Sequence, residues 1–152
     1  MLGHISMWLR LLGYDTLFEI DADDTYLLEL AMKTERILIT RDVELSKRAK
    51  QRNIKVILLD NISHERQIAI IINELNLRRF PDPEHSRCVH CNGILEKVKK
   101  EYVLNRVPSK VYEYHDTFWV CTSCNQVYYV GKHWKNIMKF FESVNYILKN
   151  EL

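Results

Sequence analysis

Glycine is scarce in this chain. The 152 residues contain four, and Gly3, Gly13, Gly93 and Gly131 stand apart from one another. That excludes a glycine-rich phosphate loop. Long apolar runs are also missing: no stretch approaches the roughly 18 residues a membrane span needs. Residues 2–12 carry His4 and Arg10, and no small-residue cleavage site follows. The start therefore does not read as a secretory signal, and a cytoplasmic protein with no membrane partner is expected. Charge of one sign is lacking as well. Lys and Arg number 22 against 20 acids, a net charge of +2. Bulk charge therefore does not by itself indicate a nucleic-acid partner. Residues 81–152 are marginally the more basic half, with 10 basic and 8 acidic residues against 12 and 12 before them.

What is present divides the chain in two. Ile5, Trp8, Leu9 and Leu12 recur at helical spacing and end at Gly13, predicting an amphipathic helix with a glycine stop. Residues 16–20 read as a short strand. Asp23 or Asp24 precedes a helix with Leu27, Leu28, Leu30 and Ala31. Residues 37–39 and 56–59 read as buried strands. Asp42 opens a helix through Leu45 and Ala49, and Ser63 one bearing Ile68, Ile71, Ile72 and Leu75. Short, non-alternating apolar strands between helices predict a parallel α/β sheet covered on both faces. Pro81 and Pro83 then break the pattern. The expected division is an α/β unit over 1–80 and a second module over 84–152. Eleven of the chain's aromatics, five Phe, three Trp and eight Tyr in all, lie from Tyr102 onward. Strands are predicted at 102–104, 111–114, 118–120 and 127–130, and a last helix over 133–148.

The four cysteines form two Cys-x-x-Cys pairs, Cys88/Cys91 and Cys121/Cys124. Two such knuckles offer four thiolates in a tetrahedron, which suits Zn²⁺ at about 2.3 Å. Disulfides are disfavoured in a cytosolic protein, and a thioredoxin-type motif would use one pair rather than two. An iron–sulfur cluster is the lesser competitor for a four-cysteine site. With all four positions filled by sulfur, the metal is structural. It supplies what the core of so small a module cannot. Gly93, expected at positive φ, and Asn125 follow the two knuckles and suit tight turns. His85 and His90 flank the first knuckle, where a ligand role competes with plain packing or exposure.

A second constellation is acidic. Asp21, Asp23 and Asp24 follow one expected strand; Thr40, Arg41 and Asp42 follow another. The carboxyl ends of parallel strands are where open sheets bind ligands. Carboxylates gathered there could hold Mg²⁺ or Mn²⁺. An aspartate at a strand-to-helix junction is equally a plain N-cap, and Arg41 could pair with an acid or with phosphate. Trp119, Tyr128, Tyr129 and Trp134 likewise have two readings. They either stack on bases, with His115, Lys132, His133 and Lys135 near phosphate, or pack the hairpins and the last helix.

Taken in order, these residues resemble a known family. The matching stretches are Trp8-Leu9-Arg10-Leu11-Leu12-Gly13, Asp23-Asp24 and Ile39-Thr40-Arg41-Asp42. In the second half they are Arg87-Cys88-x-x-Cys91-Asn92-Gly93, Trp119-x-Cys121-x-x-Cys124 and Gly131-x-His133-Trp134. The chain is similar over nearly its whole length to the PIN-like ribonucleases named after the C-terminal domain of Mut-seven. The resemblance implies a PIN-like parallel sheet with flanking helices, plus a small β-rich zinc ribbon and a C-terminal helix. It implies RNA as substrate and a metal-dependent acidic site, with Asp23, Asp42 and Asp24 as ligands beside Arg41. Members of the family begin with a strand bearing an aspartate ahead of Met1-Leu2-Gly3. The expectation is therefore an α/β unit lacking its first strand, with a sheet edge that a ribosomal or other protein partner covers. The alternative function is a non-catalytic RNA-binding or ribosome-associated module with a decayed nuclease site.

Overall fold

A computed structural model describes residues 2–152. Helix α1 (Gly3–Leu11) ends as its sequence predicts. Gly13 turns the chain at φ +95°, and the N–H groups of Gly13 and Tyr14 bond back to the Arg10 and Leu9 carbonyls. A Cβ on Gly13 would lie 2.5 Å from the His85 carbonyl oxygen, so space as well as dihedral requires glycine here. Residues 16–20, expected as a strand, join no ladder. Their backbone is engaged differently: the Thr16 carbonyl accepts from Arg10 Nε and the Thr16 N–H donates to Asn92 Oδ1.

Helix α2 (Asp24–Thr34) leads to β1 (Leu38–Thr40), α3 (Val43–Gln51), β2 (Val56–Leu58) and α4 (His64–Leu75). Strands β1 and β2 pair in parallel, Ile39 opposite Ile57, as the apolar runs predict. Helix α4 begins where expected, because Ser63 Oγ accepts the Arg66 N–H. Beyond the prolines lies an antiparallel sheet of β3 (Leu95–Val98), β4 (Phe118–Cys121) and β5 (Val127–Tyr128), in the order β3–β4–β5. Two expected strands are not strands. Residues around Tyr102 form a 3-10 turn (Lys100–Val103), and α5 (Ser109–Tyr114) is a short helix started by Pro108. Val103 plugs the module's core with Phe118 and Val120, while the half-buried Val107, before Pro108, and Val111, on α5, cover it.

The final helix α6 (Lys132–Asn150) does not stay with this module. Its Phe141 and Val144 are fully buried with Ile5, Leu9 and Leu12 of α1 and Ile68, Ile71 and Ile72 of α4. Trp8 stacks on Phe140, ring centroids 3.7 Å apart and nearly parallel. Asn145 also donates to the Arg79 carbonyl, tying the connecting segment down. The chain thus has a mixed α/β fold: a small parallel sheet, a separate antiparallel sheet, flanking helices and a C-terminal helix. No helix among the described residues is long and apolar enough to cross a membrane.

Candidate metal centre and the carboxyl edge of the sheet

The sulfurs of Cys88, Cys91, Cys121 and Cys124 all lie within 4.8 Å of one another. Cys88 Sγ is 3.5 Å from Cys124 Sγ, and Cys91 Sγ 3.4 Å from Cys121 Sγ. A disulfide would bring sulfurs to about 2.05 Å. Four sulfurs each about 2.3 Å from one ion stand roughly 3.8 Å apart, so this cage fits a tetrahedral metal, and structural zinc matches it.

The two knuckles repeat one backbone design. In the first, the Cys88 N–H bonds to the Gly93 carbonyl and the Asn92 N–H to the Cys88 carbonyl. In the second, the Cys121 N–H bonds to the Gln126 carbonyl and the Asn125 N–H to the Cys121 carbonyl. The left-handed residues are Asn92 (φ 68°) and Asn125 (φ 67°), one position after each second cysteine. Gly93 is therefore not the positive-φ residue of its knuckle. Its requirement is space, since a Cβ there would meet Cys121 Sγ at 2.6 Å and Ser123 Oγ at 2.8 Å.

Electrostatics inside the cage favour a cation. Burial opposes ionisation of Cys121, yet the N–H groups of Cys124 and Ser123 point at its sulfur and bring the thiol down to about 7. For Cys124 the Gln126 N–H favours the thiolate, but burial and the three neighbouring sulfurs push the thiol up to about 12. Four thiols this close cannot all lose protons by themselves; a divalent ion makes that possible. Tyr128 completes the surroundings, its hydroxyl 3.0 Å from Cys88 Sγ. Burial and the adjacent Cys88 raise its pKa, so it stays protonated and donates to the sulfur. Removing such a bond should cost about tenfold in metal affinity. Tyr128→Phe is accordingly expected to release metal to a competing chelator at about tenfold lower chelator concentration, with the fold unchanged by circular dichroism.

The acidic residues lie elsewhere. Asp23 and Asp42 follow the 16–20 segment and β1, and each caps a helix. Asp23 Oδ1 accepts from Thr25 and Tyr26 N–H, and Asp42 Oδ1 from Leu45 N–H. Asp24 pairs with Arg48 at 3.0 Å. Arg41 is exposed just past the carboxyl end of β1. Among the described residues, the cysteine set is the only group of three or more His, Cys, Asp or Glu within metal-ligand reach of one another. Lys132, His133 and Lys135 are exposed on the first turn of α6. His115 packs on Tyr129, with ring centroids 4.9 Å apart. Trp119 is buried, with only 6% of its surface exposed. His85 is bonded to Asp82 at 2.8 Å. Reading by residue type missed two others at the centre. Arg10 and Asn92 are both buried between the first knuckle and the α/β unit. The sequence signals for Arg10 are an arginine flanked by Leu9 and Leu11 on the helix and its place in the Trp8-Leu9-Arg10 stretch.

A family model described as the Mut7-C RNAse domain matches residues 1–141. The chain belongs to this family. No curated protein and no solved structure matches it. The match runs through both sheets and into α6, so the cysteine cage and the α/β unit lie within one family-wide pattern.

Proposed function

We propose that this Mut7-C domain is a PIN-like endoribonuclease that cleaves RNA phosphodiesters with Mg²⁺ or Mn²⁺, and that the cysteine cage holds zinc. The observation carrying the reading is the family match, joined to the placement of Asp23 and Asp42 at helix starts, Asp42 directly beyond parallel strand β1. Each commits one carboxylate oxygen, Oδ1, to its cap, and no donor among the described residues bonds the other. These free oxygens would hold the ion, with Asp24 as the alternate ligand. The bound ion would lower the pKa of its water and offset charge on the phosphodiester. Arg41, exposed beside them, would steady a phosphate oxygen.

The start of α6 supports an RNA contact. A helix N-terminus is electropositive, and acids are favoured there. This one has no capping side chain and no acid in its first turn, while Lys132 and Lys135 add positive charge and His133 a ring nitrogen that can donate. A phosphate would relieve that accumulation. His115, nearer Tyr129, would extend the contact.

Asparagine caps a helix about as well as aspartate, so Asp42→Asn and Asp23→Asn separate capping from metal binding. Cleavage of a labelled RNA in Mn²⁺ should fall at least about a hundredfold in Asp42→Asn, with unchanged thermal stability. Cleavage that is insensitive to Asp42→Asn, Asp23→Asn and chelation of Mn²⁺ would remove the acidic site from the reaction.

One observation favours the second reading, an RNA-binding or ribosome-associated module without catalysis. Among the described residues strand β1 pairs only with β2, and beside it runs an apolar groove of about 700 Å³ lined by Ile5, Leu9, Leu17, Leu27 and Ile39. An open strand edge invites pairing with another chain. In this reading a protein partner lies in the groove and the aspartates serve only as caps. RNA binding without Mn²⁺-dependent cleavage would select it.

A further inference from the structure

Arg10 is a buried guanidinium without a carboxylate. It is 7% exposed. Among the described residues its donors reach only main-chain oxygens: Thr16 at 2.9 Å, Val89 at 2.8 Å and His90 at 3.4 Å. No acid among the described residues lies within ion-pair distance of it. A buried charge is costly unless something of opposite sign offsets it. Val89 and His90 are the two residues between Cys88 and Cys91, so the arginine grips the first knuckle from outside. Four thiolates around one divalent cation leave a doubly negative centre. Other arginines flank the same centre. Arg87 donates to the Asn92 carbonyl at 2.9 Å, and Arg106 to the Asn125 carbonyl at 2.7 Å, so each left-handed asparagine has its own.

The same contacts continue into the α/β unit. Asn92 Oδ1 accepts the Thr16 N–H at 3.0 Å, and Asn92 Nδ2 donates to Asp15 Oδ1 at 2.6 Å. Asp15 is in turn paired with Arg36 at 2.7 Å, whose guanidinium holds its carboxyl below the usual range. Residues 14–20 form one wall of the groove beside β1. Their backbone lacks a strand partner and is held at Thr16 by side chains from the knuckle and from α1.

We propose that Arg10 is the buried counter-charge of the cysteine metal centre, and the positioning residue through which metal occupancy orders the 14–20 wall of the groove. The proposal rests on the metal-centre reading and is independent of whether the acidic site cleaves RNA. With metal bound, the negative centre offsets the guanidinium. Without it that doubly negative centre is not assembled, and the guanidinium is left with the carbonyls of Thr16, Val89 and His90. The knuckle then loosens, and with it the Thr16 clamp. The zinc would be a structural element of the groove as well as of the antiparallel module.

Zinc content of the full chain is measured first; a chain that binds none would sink the metal-centre reading itself. On the zinc-loaded chain, amide hydrogen exchange is compared before and after chelation. The expected result is faster exchange at residues 14–18 together with 88–93, and little change in α3. Zinc affinity is then measured by competition for Arg10→Gln and Arg10→Lys. The glutamine variant, which loses the charge, should bind about tenfold more weakly or worse. The lysine variant keeps the charge but loses the planar fork of donors, and should weaken binding clearly less than the glutamine variant does. Equal weakening of the two would mean that Arg10 is only a carbonyl clamp, and would overturn the counter-charge. Unchanged exchange at 14–18 after chelation would overturn the coupling, and that measurement needs no variant to fold.

Discussion

Cys121→Ser is expected to abolish metal retention and to unfold the antiparallel module before the rest of the chain. Serine keeps the size of cysteine but offers a poor zinc ligand, and three thiolates remain in a cage built for four. Structural zinc sites contribute on the order of 10–16 kcal/mol of apparent binding energy at neutral pH. The module has little else to rely on. Its fully buried apolar side chains apart from the cysteines are Val103 and Phe118, with Trp119 and Val120 nearly so, and the strands around them have four, four and two residues. Cys121 is also the last residue of β4, paired with Leu95, so the loss reaches the ladder directly. Metal analysis should give about one zinc per parent chain and none for the variant. The near-ultraviolet circular dichroism of the module's own aromatics, Trp119 and Tyr128 among them, should be lost at a temperature where the far-ultraviolet helix signal and the signal of the Trp8–Phe140 stack persist. An iron–sulfur chromophore in the parent, or a metal-free variant that keeps its aromatic signal, would refute the account.

The features that sequence made readable are those with a local chemical signature. Gly13 stops α1, Asp23, Asp42 and Ser63 start helices, and the apolar runs at β1 and β2 pair in parallel. The paired cysteines identified the metal cage without any knowledge of the fold. What escaped was decided over distance. Residues 16–20 have strand-like composition, but Arg10 and Asn92 take their backbone groups, and those partners are 6 and 76 positions away from Thr16. Strand β3 was missed because Leu95 and Val98 are its only half-buried positions, separated by exposed Glu96 and Lys97, so it shows no alternation. Tyr102 and Val111 favour strands by composition, yet a module this small needs only a plug and a lid, and short helical turns supply both. The aspartates show the reverse difficulty. Residue type cannot separate a cap from a metal ligand, and the structure shows Asp23 and Asp42 each using one oxygen as a cap.

Phe141→Ala is expected to destabilise the α/β unit by about 3–5 kcal/mol, although Phe141 follows the metal module in sequence. Its side chain is fully buried among α1, α4 and β2, and its ring meets Trp8 and Phe140 edge-on, with centroids 5.6 and 5.4 Å away. Alanine would leave a cavity where three helices meet, and rigid neighbours such as Ile68 and Ile71 can only partly fill it. Small domains have roughly 5–15 kcal/mol of stability in total, so a loss of this size removes a large part of it. Phe140→Ala is the contrast. That ring is half-buried and stacks on Trp8 from the outside, so its loss should cost about 1–2 kcal/mol. Urea unfolding with metal kept in excess would measure both, and the midpoint should fall with an unchanged slope if the native fold persists. A Phe141→Ala cost below about 1 kcal/mol would show that α6 rests on the α/β unit without being part of its core. Truncations ending before α6 would then be tolerated. If the full cost is found, residues 132–150 are needed to complete the hydrophobic core that residues 3–75 begin, and the two halves of the chain fold as mutual supports.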